Sequence, residues 1–186
     1  MFEPHPSRYN VLKKHFLNWC TSFAAAPDAA KTWQRTGNVA KHEFWLFATP
    51  VHLKLGRDNF VLADPAMLSI SDEEANALIV SLNAHFSQPD FYLKGFHLYF
   101  YQHIWFLGLD ADPQITTSNI STVINQDIFP YLPKGNGALA WANWQNELQM
   151  LLFSHPVNMA REARGELAVN SLWCYGLAAS PNKQSN

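Results

Sequence analysis

The chain has 186 residues, of which 48% are hydrophobic, 14% aromatic and 15% charged, and its formal net charge at pH 7 is −2. These values indicate one globular domain, or one domain with a short appendage, that buries enough apolar surface to fold without disulfides or metals. The near-neutral charge provides no general field for nucleic acid or an anionic membrane, and we expect neither as a partner.

The two cysteines, Cys20 and Cys174, lie far apart and neither belongs to a C-x-x-C pair. A disulfide and two buried thiols both remain open as interpretations, and the apolar neighbours of the cysteines favour thiols in a reducing compartment. The first residues contain no apolar signal core, and no segment resembles a transmembrane helix. We therefore expect a cytoplasmic protein.

The first part of the chain, residues 1–41, predicts a helical lead-in. Apolar residues recur near helical spacing over residues 8–23. Pro27 interrupts this pattern, and Gly37 ends the segment. We expect the lead-in to pack beside the main domain.

A β-hairpin and a capped helix open the main domain. Two β-rich segments, residues 43–55 and 59–64, are joined by the turn sequence Gly-Arg-Asp-Asn between Leu55 and Phe60, and Pro50 predicts an edge position or a bulge. Ser71 can cap the following helix, and Glu74 completes a capping box. The apolar face of this helix comprises Ala75, Leu78, Ile79, Leu82 and Phe86.

Further strands and helices follow. Residues 91–101 and 103–110 each predict a strand, and the second is apolar on both faces from Ile104 to Leu109, as in a central strand. A short helix is predicted over residues 120–129 and a longer one over residues 138–154. Residues 168–175 predict the last strand.

Without the lead-in, the order of these elements is βαββαβ. This order predicts an α+β domain of the ferredoxin-like split βαβ type, with an antiparallel sheet and helices on one face. The domain spans residues 42–177 and precedes a polar tail, residues 178–186.

The sequence contains no complete set of residues for the common catalytic sites. Its eight histidines form no H-E-x-x-H or H-x-H motif, so we predict no metal site. No Gly-x-Ser-x-Gly or Ser-x-x-Lys motif is present, and the eight glycines are too dispersed for a phosphate loop. We therefore predict no catalytic residues and no cofactor.

The stretch from Ser154 to Trp173 is the best candidate for a ligand site. Arg161 and Arg164 lie three residues apart on a short helix that begins at Pro156, so their guanidinium groups can grip one phosphate or carboxylate. The candidate ligand-binding residues are His155, Asn158, Arg161, Arg164 and Asn170, with His52 as a weaker candidate.

A purely structural role fits the same residues. In that interpretation Arg161 pairs with Glu162, with Glu166 or with carbonyl groups at the sheet edge, and Asn158 caps the local backbone. Gly165 ends the short helix in both interpretations. The sequence leaves both open.

The run from Leu151 to Trp173 resembles the H-P-V-N-x-x-R-x-x-x-G pattern of archaeal-type, cofactor-independent phosphoglycerate mutases. It resembles even more closely their bacterial relatives, the RpfE-type regulatory proteins. Three upstream segments extend the likeness over most of the chain: ATPVHLKLGRDNFVLAD, LSISDEEANALIVSLNAHF and WANWQNELQMLL.

The resemblance implies a domain without the catalytic centre of those mutases. Their alkaline-phosphatase-like domain holds two metal ions through Asp and His and carries a phosphorylated serine, and this chain resembles the smaller domain associated with it. The sequence shows no counterpart of the metal-binding Asp-Gly start or of the later Asp/His cluster. We therefore expect no complete mutase mechanism in these residues.

Three functional hypotheses follow. The first is a non-catalytic regulatory or interaction domain that binds a small phosphorylated or carboxylated metabolite. The second is a divergent phosphoglycerate mutase or phosphotransfer enzyme. The third is a structural domain that acts through a protein partner or as a homodimer, which an exposed apolar patch would favour.

Overall fold

A computed structural model describes residues 28–181 of the chain. The helix predicted over residues 8–23, together with Cys20, lies outside the described residues. The helices and strands are α1 (Ala29–Arg35), β1 (Phe44–Val51), β2 (Leu53–Leu55), β3 (Phe60–Leu62), α2 (Asp72–Phe86), β4 (His97–Tyr101), β5 (Ile104–Leu109), α3 (Ala138–Phe153), α4 (Pro156–Ala163) and β6 (Ser171–Ala179). Across residues 28–181, every helix is too short or too polar to cross a membrane.

Four antiparallel strands form the main sheet in the order β4-β5-β1-β6, and β2 pairs with β3 in a separate hairpin. The two strands joined by α2, β1 and β4, are separated in the sheet by β5, which is the split βαβ arrangement. The predicted α+β, ferredoxin-like fold is confirmed. β5 is a central strand, as its apolar character on both faces predicts.

Pro50 lies where β1 has only one neighbouring strand. The pairing of β1 with β5 ends at Phe47 and Phe106, whereas its pairing with β6 continues through Pro50 and Leu172. The β1–β6 register also shifts just after Trp45. Proline lacks a backbone N–H, so it is tolerated where one side of the strand has no partner.

Helices α2 and α3 cover one face of the sheet. Ser71 and Glu74 form the predicted capping box at the start of α2. The buried residues of α2 are the predicted ones: Ala75, Leu78, Ile79, Leu82 and Phe86. Those of α3 are Trp141, Trp144, Leu148 and Leu152. Each large apolar side chain contributes about 1.5–3 kcal/mol when it leaves water, so this layer is one of the two main sources of stability, beside the cluster on the opposite face.

Helix α1 covers part of the opposite face. Asp28 caps it by accepting a hydrogen bond from Lys31 N at 2.9 Å. The ring of Trp33 stacks on Trp45 of β1, with 4.7 Å between ring centroids. The described end of the lead-in therefore contributes to the core of the sheet.

The prediction of a helix over residues 120–129 is wrong. Two short 3₁₀ turns, Ile120–Thr122 and Phe129–Tyr131, stand in its place. Between them the backbone pairs with β3, where Asn125 N donates to Leu62 O at 2.7 Å. Backbone groups bonded to β3 are not available for the hydrogen bonds of a helix.

Candidate functional site

The candidate segment is a proline-started helix that connects α3 to β6. His155 caps α4 by accepting a hydrogen bond from Val157 N at 3.2 Å, and Pro156 occupies the first turn. α4 ends before Gly165, whose φ of 75° is a left-handed conformation that favours glycine. The predicted helix start at Pro156, the stop at Gly165 and the strand that follows are present.

Arg161 of α4 is a buried arginine whose three side-chain nitrogens all donate hydrogen bonds. Nε donates to Leu167 O at 2.8 Å, Nη1 donates to Glu74 Oε2 at 2.6 Å, and Nη2 donates to Leu68 O. The side chain is 1% exposed. A buried charge is tolerated only when it is paired and hydrogen-bonded, and the contacts of this guanidinium group with Glu74 and two carbonyl groups meet that requirement within the fold.

Arg164, by contrast, is half exposed at the edge of this network. Its Nη2 donates to Glu74 Oε1 and to Glu166 Oε2, each at 2.7 Å. The hydrogen bonds with Glu166 and Glu74 raise the pKa of Arg164, and the bond from Arg164 lowers the pKa of Glu166. The two arginines share a face, as predicted, but that face is occupied by carboxylates. The sequence predicted Glu74 only as part of a capping box and not as a partner of the arginines, because it lies 87 residues from Arg161.

The two candidate asparagines bond to backbone groups. Asn158 is 2% exposed; its Nδ2 donates to Leu152 O and Val169 O, and its Oδ1 accepts from Val169 N. Asn170 Oδ1 accepts from Leu53 N at 2.7 Å, and its Nδ2 donates to Leu53 O at 2.9 Å. Asn158 thus joins α3 to the start of β6, and Asn170 joins β6 to the hairpin.

The two candidate histidines lie at different places. His155 Nε2 is 2.9 Å from Ser81 Oγ on α2, and burial lowers the pKa of His155. His52 Nδ1 donates to Ala168 O at 2.8 Å, between β1 and β2. The structure therefore brings Arg161 and Arg164 together on Glu74 of α2, and it places His155 against another residue of the same helix. His52 and the asparagines bond to backbone groups elsewhere.

A second polar cluster, which sequence analysis did not predict, combines two residues of β4 with His42 just before β1 and Asp110 just after β5. His42 Nδ1 is 2.7 Å from Asp110 Oδ1, and its Nε2 is 2.8 Å from Tyr99 Oη. The ring of His97 stacks on His42, with 6.3 Å between centroids. Burial, then His42 and Lys41, lower the pKa of His97. Tyr99 and Asp110 lie 57 and 68 residues from His42 along the chain, so His42 looks isolated in the sequence.

Two glycines make room for this cluster. A Cβ atom on Gly108 of β5 would lie 2.2 Å from His42 Cδ2. One on Gly95 would lie 2.1 Å from Asp110 Cγ, and Gly95 has a φ of 69°. A lone glycine inside an apolar strand marks a close approach, so Gly108 was the available sequence signal.

Comparison with known proteins places these features in context. No family model matches the chain. A probable 2,3-bisphosphoglycerate-independent phosphoglycerate mutase of Geobacter sulfurreducens is 27% identical over 135 residues, which are 73% of this chain and 33% of that protein. The 2,3-bisphosphoglycerate-independent phosphoglycerate mutase of Methanosarcina barkeri is 28% identical over 114 residues, covering 60% and 28% of the two chains.

The chain is related to these mutases. A solved structure, the cofactor-independent phosphoglycerate mutase from Thermoplasma acidophilum, shares its fold with a TM-score of 0.56 at 18% identity, covering 77% of this chain and 39% of that one. The mutase-related chain spans about a third of the length of the curated relatives it matches. Most of each relative therefore lies outside the match.

Two other features of the mutase-related chain bear on chemistry. Within residues 28–181, no three His, Cys, Asp or Glu side chains are grouped so that they could hold a metal ion. Cys174 is buried with a free thiol, and burial raises the pKa of that thiol well above its usual range. Because the thiolate is the nucleophile, Cys174 is an unreactive core residue.

Proposed function

We propose that this mutase-related chain is a non-catalytic regulatory or interaction domain of the RpfE type, acting in the cytoplasm of a bacterium by binding rather than by turnover. The observation that supports this proposal is the bonding of Arg161. Arg161, the arginine of the H-P-V-N-x-x-R motif, donates its hydrogen bonds to Glu74 and to two backbone carbonyl groups inside the fold.

An anionic ligand at Arg161 would have to displace Glu74 from the guanidinium group. The side chain of Glu74 is only 18% exposed, so its carboxylate would lose one of its two arginine partners while staying largely out of water. The ligand would also compete with the carbonyl groups of Leu68 and Leu167, which would lose their donors. The H-P-V-N-x-x-R run is therefore best explained as a connection that locks α4 against α2.

Binding of a small phosphorylated or carboxylated metabolite is a separate part of the proposal, and Arg164 is the residue best placed for it. Its side chain is 50% exposed, and its partner Glu166 is 45% exposed. Exchanging a surface carboxylate such as Glu166 for a ligand carboxylate or phosphate costs little, because exposed ion pairs contribute only about 0–1 kcal/mol.

A coupled mutase assay tests the non-catalytic part. The purified full chain is incubated with 3-phosphoglycerate and added Mn²⁺ or Mg²⁺, beside an active cofactor-independent mutase as a positive control. We expect no turnover above the enzyme-free blank. Metal-dependent turnover that rises with protein concentration would overturn the proposal.

A thermal-shift assay tests the metabolite part. Wild type and Arg164→Ala are heated with 3-phosphoglycerate, inorganic phosphate or citrate, at matched ionic strength. We expect a ligand-dependent rise in the midpoint of wild type that Arg164→Ala loses. If no ligand raises the unfolding midpoint of wild type, the metabolite-binding part of the proposal is wrong and only the interaction-domain part remains.

A further inference from the structure

The outer edge of strand β4 is closed by an asparagine of helix α2. Both residues of the turn between β4 and β5 have positive φ, so the flanking residues Tyr101 and Ile104 form a hydrogen-bonded pair. Bonded and non-bonded pairs alternate along an antiparallel ladder, so the backbone of Leu98 faces away from β5. Its N–H donates to Asn83 Oδ1 at 2.7 Å, and its C=O accepts from Asn83 Nδ2 at 2.9 Å. The Asn83 side chain thus takes the place of a neighbouring strand.

These two bonds fix the orientation of the Asn83 amide. Turning the amide over would break both of them, because Oδ1 only accepts and Nδ2 only donates. In this orientation Nδ2 lies 3.4 Å from Nε2 of His97. An amide NH₂ group needs an acceptor, so Nε2 must carry no proton. The closed edge therefore requires a neutral His97 with its proton on Nδ1.

The other groups around His97 also favour its neutral form. On the same strand, the ring centroid of Tyr99 lies 4.6 Å from that of His97. From the segment before β1, the ring of His42 stacks on His97 and Lys41 contributes a positive charge. The carboxylate of Asp110 is bonded to His42 Nδ1 at 2.7 Å. Burial, then His42 and Lys41, hold the pKa of His97 below its usual value.

We propose that His97 is a proton switch for the edge of β4: protonation of Nε2 breaks the contact with Asn83 and releases the backbone of Leu98. The protonated Nε2–H would point at the NH₂ group of Asn83, so two donors would meet without an acceptor. A donor left without an acceptor away from water is unfavourable. Asn83 can offer its oxygen to His97 only by giving up both bonds to Leu98.

Release of Asn83 leaves an N–H and a C=O group unpaired on an edge strand. Such groups are a template for pairing with another extended segment, so the switch controls access to this edge of the sheet. The edge is closed at neutral pH and opens as pH falls through the folded-state pKa of His97, which lies below 6.5. The switch uses neither Arg161 nor Arg164, so it goes beyond the proposed function and can be tested apart from it.

Hydrogen exchange of the full chain, measured by NMR at about pH 7.5 and pH 5, tests the switch. In wild type, the protection factor of the Leu98 amide relative to that of Leu107 in β5 is expected to fall at least about tenfold at the lower pH. His97→Gln keeps a neutral acceptor for Asn83, so its ratio is expected to stay constant. A constant ratio in wild type, or a fall in His97→Gln equal to that in wild type, overturns the proposal.

His85→Gln is the matched control, because it removes another histidine close to Asn83 on α2. His85 Nε2 is bonded to Glu147 Oε1 at 2.6 Å, on the side of α2 that meets α3. The pH dependence of Leu98 protection in this variant is expected to equal that of wild type. Loss of the pH dependence would assign the effect to His85 and overturn the role of His97.

The reverse effect on His97 provides a second test. If protonation of His97 weakens the Asn83 contact, then removing that contact must favour protonation, because linkage is reciprocal. An NMR titration of the His97 ring is therefore expected to show a higher pKa in Asn83→Ala than in wild type, with circular dichroism confirming that the variant folds. An unchanged pKa would contradict the coupling between His97 and Asn83.

Discussion

Arg161 and Glu74 form an ion pair, with 2.6 Å between Nη1 and Oε2, although 87 residues separate them. The same glutamate oxygen accepts a hydrogen bond from Ser71 N at 3.1 Å, which is half of the capping box of α2. The other glutamate oxygen accepts from Arg164. The helix start and the family-like motif are therefore parts of one network.

Arg161→Met is expected to destabilise the fold by about 3–5 kcal/mol, because it removes one of the two arginine partners of Glu74 and leaves the carbonyl groups of Leu68 and Leu167 without the buried donors that Arg161 supplies. Arg164→Met is expected to cost only about 0–1 kcal/mol, because its ion pairs are partly solvent-exposed. Urea unfolding followed by circular dichroism measures both. Similar losses of unfolding free energy for the two variants would show that the buried contacts of Arg161 stabilise the fold no more than the exposed contacts of Arg164.

Asn170→Ala is expected to loosen the β2–β3 hairpin. It removes both hydrogen bonds to the backbone of Leu53, at a cost of about 1–3 kcal/mol. Hydrogen exchange at the Leu53 amide should accelerate much more than exchange at Leu107 in β5, which serves as an internal control. Unchanged protection of Leu53 would refute the role assigned to Asn170.

Gly108→Ala is expected to cost about 1–3 kcal/mol, because the new Cβ would overlap the His42 ring at 2.2 Å. In a His42→Ala background the same change should cost less, because the ring is gone. A double-mutant cycle by thermal or urea unfolding measures the coupling. Additive costs would mean that Gly108 is required for some reason other than His42.

Stability is expected to fall as pH decreases below about 6.5. Burial, His42 and Lys41 lower the pKa of His97 in the folded protein, so the unfolded chain, with a histidine pKa of about 6.5, binds the proton more readily. The contribution of His97 is present above that pH and is lost as pH falls through its folded-state pKa. Urea midpoints at about pH 7.5 and pH 5 should differ less for His97→Gln than for wild type. An equal difference between the two midpoints in wild type and in His97→Gln would exclude His97 as a source of the pH dependence of stability.

Local patterns predicted the elements whose residues interact with near neighbours. The capping box of α2 needs only Ser71 and Glu74, and the stop of α4 needs only Gly165, so both follow from sequence. The helix predicted over residues 120–129 was wrong because the backbone there bonds to β3. Local helix propensity carries no information about such a distant partner. Its apolar residues suit a helix as well as an irregular segment under a hairpin.

The sequence by itself determined the βαββαβ order of the main elements, the ferredoxin-like class and the relation to cofactor-independent phosphoglycerate mutases. It also placed Arg161 and Arg164 on one helix face. Only the tertiary structure decided what that face meets, because the sheet brings the start of α2 against α4 and supplies Glu74 as the counter-charge. Spacing fixes which side chains point together; the partner they meet depends on contacts between distant parts of the chain.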